Sequence, residues 1–137
     1  MANAIYPEYK EALLSAASNV SLTGGTVKVS LIDFGVLSTT YDPTDTFYSD
    51  LDVATVISTA TIANVTVTNG VFNGDDVSFL TVAAGNACEA LIIWIDTGVT
   101  TTSRLVAFLD TNVTGLPITP SGGNIDVTWN ASGIFKL

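Results

Sequence analysis

The sequence predicts a mainly β domain: an antiparallel β-sandwich, or a Greek-key or jelly-roll-like barrel, of about seven to nine short strands. One N-terminal α-helix precedes the strands. Three observations predict this. Thr and Val are abundant, and their branched side chains suit the pleated strand. Turn signals such as Asn69-Gly70 and Asn73-Gly74 recur at short intervals. Helical periodicity occurs only near the start of the chain.

The helix is expected in "YPEYKEALLSAASNV", Tyr6 to Val20. Pro7 fits a first helical turn, where its missing N–H costs nothing. Glu8 and Glu11 lie toward the end where the helix dipole favours negative charge. Tyr6, Tyr9, Leu13, Ala16, Ala17 and Val20 make one apolar stripe, which needs a surface to lie on.

Strands follow. "GGTVKVSLIDF" starts at a glycine turn and sends Val27, Val29 and Leu31 one way, Lys28, Ser30 and Ile32 the other. The polar segment from Thr39 to Asp52 is long for a simple connection, and such loops often make contacts. Within it Phe47, Tyr48 and Leu51 look like an anchor, with a short helical turn. "ATVISTATIA" and "NVTVTNGVF" read as strands, the second with Val65 and Val67 inward. The two Asn-Gly pairs are too close for two long hairpins. "DVSFLTV" is the next strand. "CEALIIWID" and "SRLVAFLD" form a hairpin, and "NIDVTWN" and "GIFKL" close the chain. The connection from Thr111 to Gly123 is placed to carry the chain between sheets.

The hairpin raises a problem. Leu91, Ile93 and Ile95 alternate with Ala90, Ile92 and Trp94, so both faces are apolar. The same holds for Leu105, Ala107 and Leu109 against Val106 and Phe108. One face is the sandwich core. The N-terminal helix, or a neighbouring subunit, is expected to cover the other, because soluble monomers seldom expose so large an apolar patch.

The chain has 137 residues, suited to one domain: an arm and helix over residues 1–20, and strands over 24–137. Hydrophobic residues make up 47% and charged residues 12%, the reverse of a disordered chain. The net charge is -9, and the four cations Lys10, Lys28, Arg104 and Lys136 are scattered. With no basic run to displace counterions, nucleic acid is not an expected partner. An anionic membrane is not one either, and no apolar run approaches membrane-helix length. The N-terminus shows no secretory signal pattern, so synthesis in a cytoplasm is the expectation. Asn19, Asn64, Asn112 and Asn130 stand in Asn-x-Ser/Thr patterns, read as accidents of a Thr-rich composition.

Little chemistry is visible. With no histidine and a single cysteine, the usual acyl-transfer triads, zinc sites and intrachain disulfides are excluded. Cys88, beside Ala87 and Ala90, reads as a small buried hydrophobe. No cofactor, metal or catalytic residue is expected. The acids Asp42, Asp45, Asp50, Asp52, Asp75 and Asp76 could in principle hold calcium or work in glycoside hydrolysis. No EF-hand order is present, and the simpler reading is that they solubilise a low-charge surface. Trp94 and Trp129 read as core or interface residues. Ile5, Tyr6, Tyr9, Tyr41, Phe47 and Tyr48 are the candidate partner-contact residues, from the N-terminal arm (Met1 to Leu14) and the acidic loop.

"MANAIYPEYKEALLS…SLTGGTVKVSLID", "TVTNGVFNGDDVSF" and "EALIIWIDTGVTTTSRLVAFLDTNVTGLPITPSGGNIDVTW…GIFKL" resemble a family of small tailed-bacteriophage virion structural proteins. The resemblance follows element order over nearly the full length and carries no catalytic motif. It implies a virion component. Within virions the best fit is a capsid decoration, or cement, protein on the outside of the head. Its partner would be the major capsid protein, and the expected assembly is a homo-oligomer, a trimer by analogy with such proteins. Acidity suits the shell exterior better than its DNA-filled interior. A tail or head–tail connector protein is the first alternative. A carbohydrate-binding module is the second.

Overall fold

The pairing of "TVKVSLI" with "ALIIWID" organises the molecule, a computed structural model that describes residues 3–38, 40–111, 113–114 and 116–137. Met1, Ala2, Thr39, Asn112 and Gly115 therefore lie outside the described residues, as do the tip of the expected N-terminal arm and the first residue of the expected loop. The described strands are β1 (Ala4–Ile5), β2 (Thr26–Ile32), β3 (Val56–Thr61), β4 (Thr66–Thr68), β5 (Val71–Asn73), β6 (Val77–Phe79), β7 (Ala90–Asp96), β8 (Leu105–Leu109), β9 (Ile125–Val127) and β10 (Phe135–Lys136). The helix α1 spans Pro7–Leu14. The chain is mainly β, and all the strand pairs are antiparallel.

A five-stranded sheet has the order β1-β8-β7-β2-β3; β10-β5-β4 and β6-β9 form two smaller sheets. β3 packs against β6, giving a sandwich-like arrangement. The connection after β8 passes from the large sheet to β9 in a small one, as expected of Thr111 to Gly123.

Register assigns the faces of the large sheet. Val27, Val29 and Leu31 oppose Ile95, Ile93 and Leu91. These residues belong to one buried cluster with Phe72, Val77, Phe79, Ile125 and Val127 of the smaller sheets. Lys28, Ser30 and Ile32 oppose Trp94, Ile92 and Ala90 on the second face. β7 and β8 are buried along their length except Asp96, which is half-buried. Their register slips between Ile93 and Trp94, a bulge that breaks the strict alternation read for β8.

The stretch formed by residues 33–38 and 40–55 lies over the second face, with Tyr6 at the start of the helix packed 5.1 Å from its Tyr41. Its Phe34 and Tyr41 rings lie 6.0 Å and 5.0 Å from Phe108, and Tyr48 stacks on Trp94 at 4.1 Å. Removing these rings from water along with the sheet is what drives a polar segment to lie flat.

The helix is shorter than the sequence pattern suggests. Ala16 takes a left-handed conformation, φ 52°, while its N–H donates to the Leu13 carbonyl and that of Ala17 to Ala12. This is a Schellman termination with alanine where glycine is usual. Tyr9 and Ala12 are the buried helical residues, and Leu14 is 90% exposed.

Two of the glycines explain the Asn-Gly pairs. Thr68 pairs with Val71, so Asn69-Gly70, both with positive φ, form the two-residue hairpin turn. Gly74 makes a close approach instead: a Cβ there would meet Ile62 Cγ2 at 2.5 Å. Contrary to expectation, Val67 points outward at 52% exposure, because β4 lies at a sheet edge with all three residues exposed.

Candidate functional site

The strongest concentration of polar groups on an ordered frame is the covering segment itself. Its two ends are tied together where Asp33 N–H donates to the Thr55 carbonyl at 2.9 Å. Phe34 N–H donates to Glu89 Oε1 at 2.8 Å, and Asp33 Oδ1 accepts from Gly35. Farther along, Tyr48 N–H donates to the Ser103 carbonyl and Leu105 N–H to that of Thr46, while Phe47 and Arg104 form a bridge. The segment is thus joined to the start of β8 by backbone hydrogen bonds. The 3₁₀ turn Tyr48–Asp50 with buried Leu51 is the anchor that the sequence suggested.

Four carboxylates rise from this frame. Each of three has one oxygen held by its own backbone: Asp42 Oδ1 by Thr44, Asp50 Oδ2 by Thr46 and Phe47, and Asp52 Oδ1 by Ala54. Hydrogen bonds from Thr44 hold the Asp42 carboxyl below the ordinary range. Asp45 differs. It is half-buried, and burial, followed by the charges of Asp42 and Asp50, pushes its carboxyl up to about 6. These acids, with Phe34, Thr40, Leu51 and Thr55, line a pocket of about 180 Å³. Among the described residues, no three potential ligands converge closely enough to hold a metal ion.

The residues expected to contact a partner are placed differently from one another. Tyr6 and Tyr9 are each 1% exposed and Tyr41 is 8% exposed, so their rings belong to the chain's own core. As candidate contact residues these three therefore face inward, Tyr41 against Phe108 and Tyr6 against Tyr41. Ile5 is half-buried in β1 opposite Ala107. Phe47 and Tyr48 are half-buried, Phe47 beneath Arg104, whose guanidinium carbon lies 5.2 Å from its ring. Arg104 Nε donates to the Ser18 carbonyl at 2.9 Å. The N-terminal arm is not a loose tether from Asn3 onward: Asn3 Oδ1 accepts from Asp110 and Thr111, and Tyr6 N–H donates to Val106.

The remaining candidates have structural placements. Asp76 Oδ1 accepts from the Trp129 backbone, the Asp75 carbonyl accepts from the Trp129 indole, and Asn64 donates to the Asp75 carboxylate. Trp94 and Trp129 are both buried. Cys88 is fully buried, and burial pushes its thiol up to about 11.

Sequence reasoning overlooked Phe34 and Asp33 as parts of this region, and the signal available was the spacing of aromatic residues through a polar stretch. A small apolar recess lined by Lys10, Leu13, Leu14 and Leu137 was likewise unforeseen. No protein-family model matches the chain, and no curated protein matches it.

Proposed function

We propose that the chain is a non-enzymatic structural protein of a tailed-phage virion, a decoration protein that binds the outer face of the major capsid shell and stabilises the mature head. The observation that carries the contact surface is the pinning of the acidic segment. Asp42, Asp45, Asp50 and Asp52 stand on a stretch anchored by Tyr41, Tyr48 and Leu51. A surface ordered before binding loses less conformational entropy on association than a floppy loop would. The sequence resemblance supports the virion assignment, and the net charge of -9 supports an exterior position away from packaged DNA.

In this reading the contact surface is segment 40–52 with its half-buried Phe47 and Tyr48, and Tyr6, Tyr9 and Tyr41 hold that surface in shape. Binding to the expanded lattice and not to the precursor would stabilise the mature shell by mass action. Many copies, with self-association as homo-oligomers, would add avidity.

Co-sedimentation tests this reading. The purified protein should pellet with expanded shells of its phage and stay in the supernatant with precursor shells. Equal pelleting with both, or with neither, would contradict it.

A further inference from the structure

We propose that β4 is a self-association edge. Its unpaired side joins β4 of a second copy of this chain, antiparallel and about a two-fold axis at Thr66. The inference deepens the self-association part of the reading above and rests on that part alone.

The hairpin defines the unpaired side. β4 ends the order β10-β5-β4, so β5 is its one strand neighbour among the described residues. Thr68 and Val71 flank the two-residue turn, and the pair that closes such a turn exchanges backbone hydrogen bonds. Bonding alternates along an antiparallel pair, so Thr66 bonds Asn73, and the N–H and C=O of Val67 point away from β5. Phe72, opposite Val67, turns its carbonyl the other way, to the Ile134 N–H at 2.8 Å. The outer side of β4 therefore offers the backbone groups of Val67 and, two residues earlier, those of Val65. Native edges are shielded by charge, proline, a bulge, a covering element or shortness. β4 has no charged residue or proline, its pairing with β5 shows no register shift, and all three residues are exposed. Shortness is its one protection. Val67 is 52% exposed although its cross-strand partner Phe72 is 1% exposed.

Charge and register select a second copy as the occupant. A chain of net charge -9 repels itself wherever its acids face each other. Val53 to Gly74 holds no charged residue, and β4 and β5 lie within that stretch. Two copies can meet at β4 without setting acid against acid. A basic partner segment would find no charge there to meet. Asp75, the next acid along the chain, has its carboxylate bonded by Asn64 at 2.6 Å. The edge sequence Val65-Thr66-Val67 is also its own mirror. With the axis at Thr66, Val65 stands opposite Val67 of the second copy, and each such pair exchanges both backbone hydrogen bonds. Aliphatic pairs form on one face and a Thr–Thr pair on the other, both favourable cross-strand combinations. A two-fold contact closes on itself, so it gives a dimer where analogy with decoration proteins implied a trimer.

The test uses purified protein and no capsid, so its failure would leave the virion assignment standing. So short an edge buries little area, and the expected dissociation constant is roughly 0.1–1 mM. Sedimentation velocity across that range should show a monomer–dimer equilibrium. Added salt should favour the dimer by screening the repulsion between acidic copies. Val67→Lys, which puts a charge on the exposed edge, should abolish the dimer and leave the far-UV circular dichroism unchanged. Thr66 faces itself across the axis in a non-hydrogen-bonded pair, whose Cα atoms lie roughly 4.5 Å apart, within disulfide reach. Thr66→Cys should therefore give a disulfide-linked dimer on mild oxidation. Thr68→Cys, displaced from the axis, should not, and neither should the unmodified protein, whose Cys88 is buried. Monomer at every concentration, a trimer, a dimer that survives Val67→Lys, or equal cross-linking of the two cysteine variants would each overturn the proposal.

Discussion

Tyr48 stacks on Trp94 with ring centroids 4.1 Å apart and planes 28° from parallel. One ring comes from the acidic segment and the other from the second face of the large sheet. The contact explains how a strand apolar on both sides exists in an acidic chain: the chain folds its own aromatic residues over it. Tyr48→Ala should cost about 2 kcal/mol, the stacking energy plus the buried area lost. In a Trp129→Phe background, the emission of Trp94 should shift to longer wavelength. An unchanged emission maximum would mean that Tyr48 does not shield the indole.

The same indole has a polar partner. Trp94 Nε1 donates to Ser30 Oγ at 2.9 Å, and Ser30 Oγ lies 2.9 Å from Thr59 Oγ1. Ser30 is fully buried. Ser30→Ala should leave a buried N–H without an acceptor and cost roughly 1–3 kcal/mol in urea unfolding. Ser30→Thr, which keeps the oxygen, should cost less than Ser30→Ala.

Asp45 gives the fold an acid-side signature. Its folded carboxyl titrates at about 6, above the 3.8 of an unperturbed group. The folded state therefore binds more protons than the unfolded chain between about pH 4 and pH 6, and the contribution of this group to stability falls as pH rises through that window. Asp45→Asn should stabilise the protein at pH 7 by on the order of 1 kcal/mol, a value discounted for solvent screening. The gain should disappear below about pH 4, where the carboxyl is neutral in both states. Thermal melts of both proteins across that range provide the check, and a gain independent of pH would refute the assignment to charge.

Ala16 ends the helix in a conformation that L-residues avoid. Ala16→Gly should stabilise the protein by about 1 kcal/mol, since glycine loses the steric penalty and keeps both terminating hydrogen bonds. A destabilised variant would show that the entropy cost of glycine outweighs the relief.

The start of the helix, the faces of β2 and β7, the hairpin β7–β8 and the turn at Asn69-Gly70 were legible because each rests on local chemistry: Pro7, strict alternation, or an Asn-Gly pair. The end of the helix was not, because alanine is the best helix former and only tertiary context turns Ala16 aside. The covering segment was half legible. Phe47, Tyr48 and Leu51 announced an anchor, but Phe34 and Tyr41 follow no period and their target is remote in sequence. For the same reason Tyr6, Tyr9 and Tyr41 looked like surface contacts: a ring in a polar stretch does not reveal whether a partner or its own sheet will cover it. The pocket acids were visible as residues, but their placement around one pocket depends on how the segment folds back.

The copy number of this protein in purified phage particles, measured against the major capsid protein, tests the central reading most directly. The decoration reading predicts a number comparable to that of the capsid protein. A handful of copies per particle, or none, would contradict it.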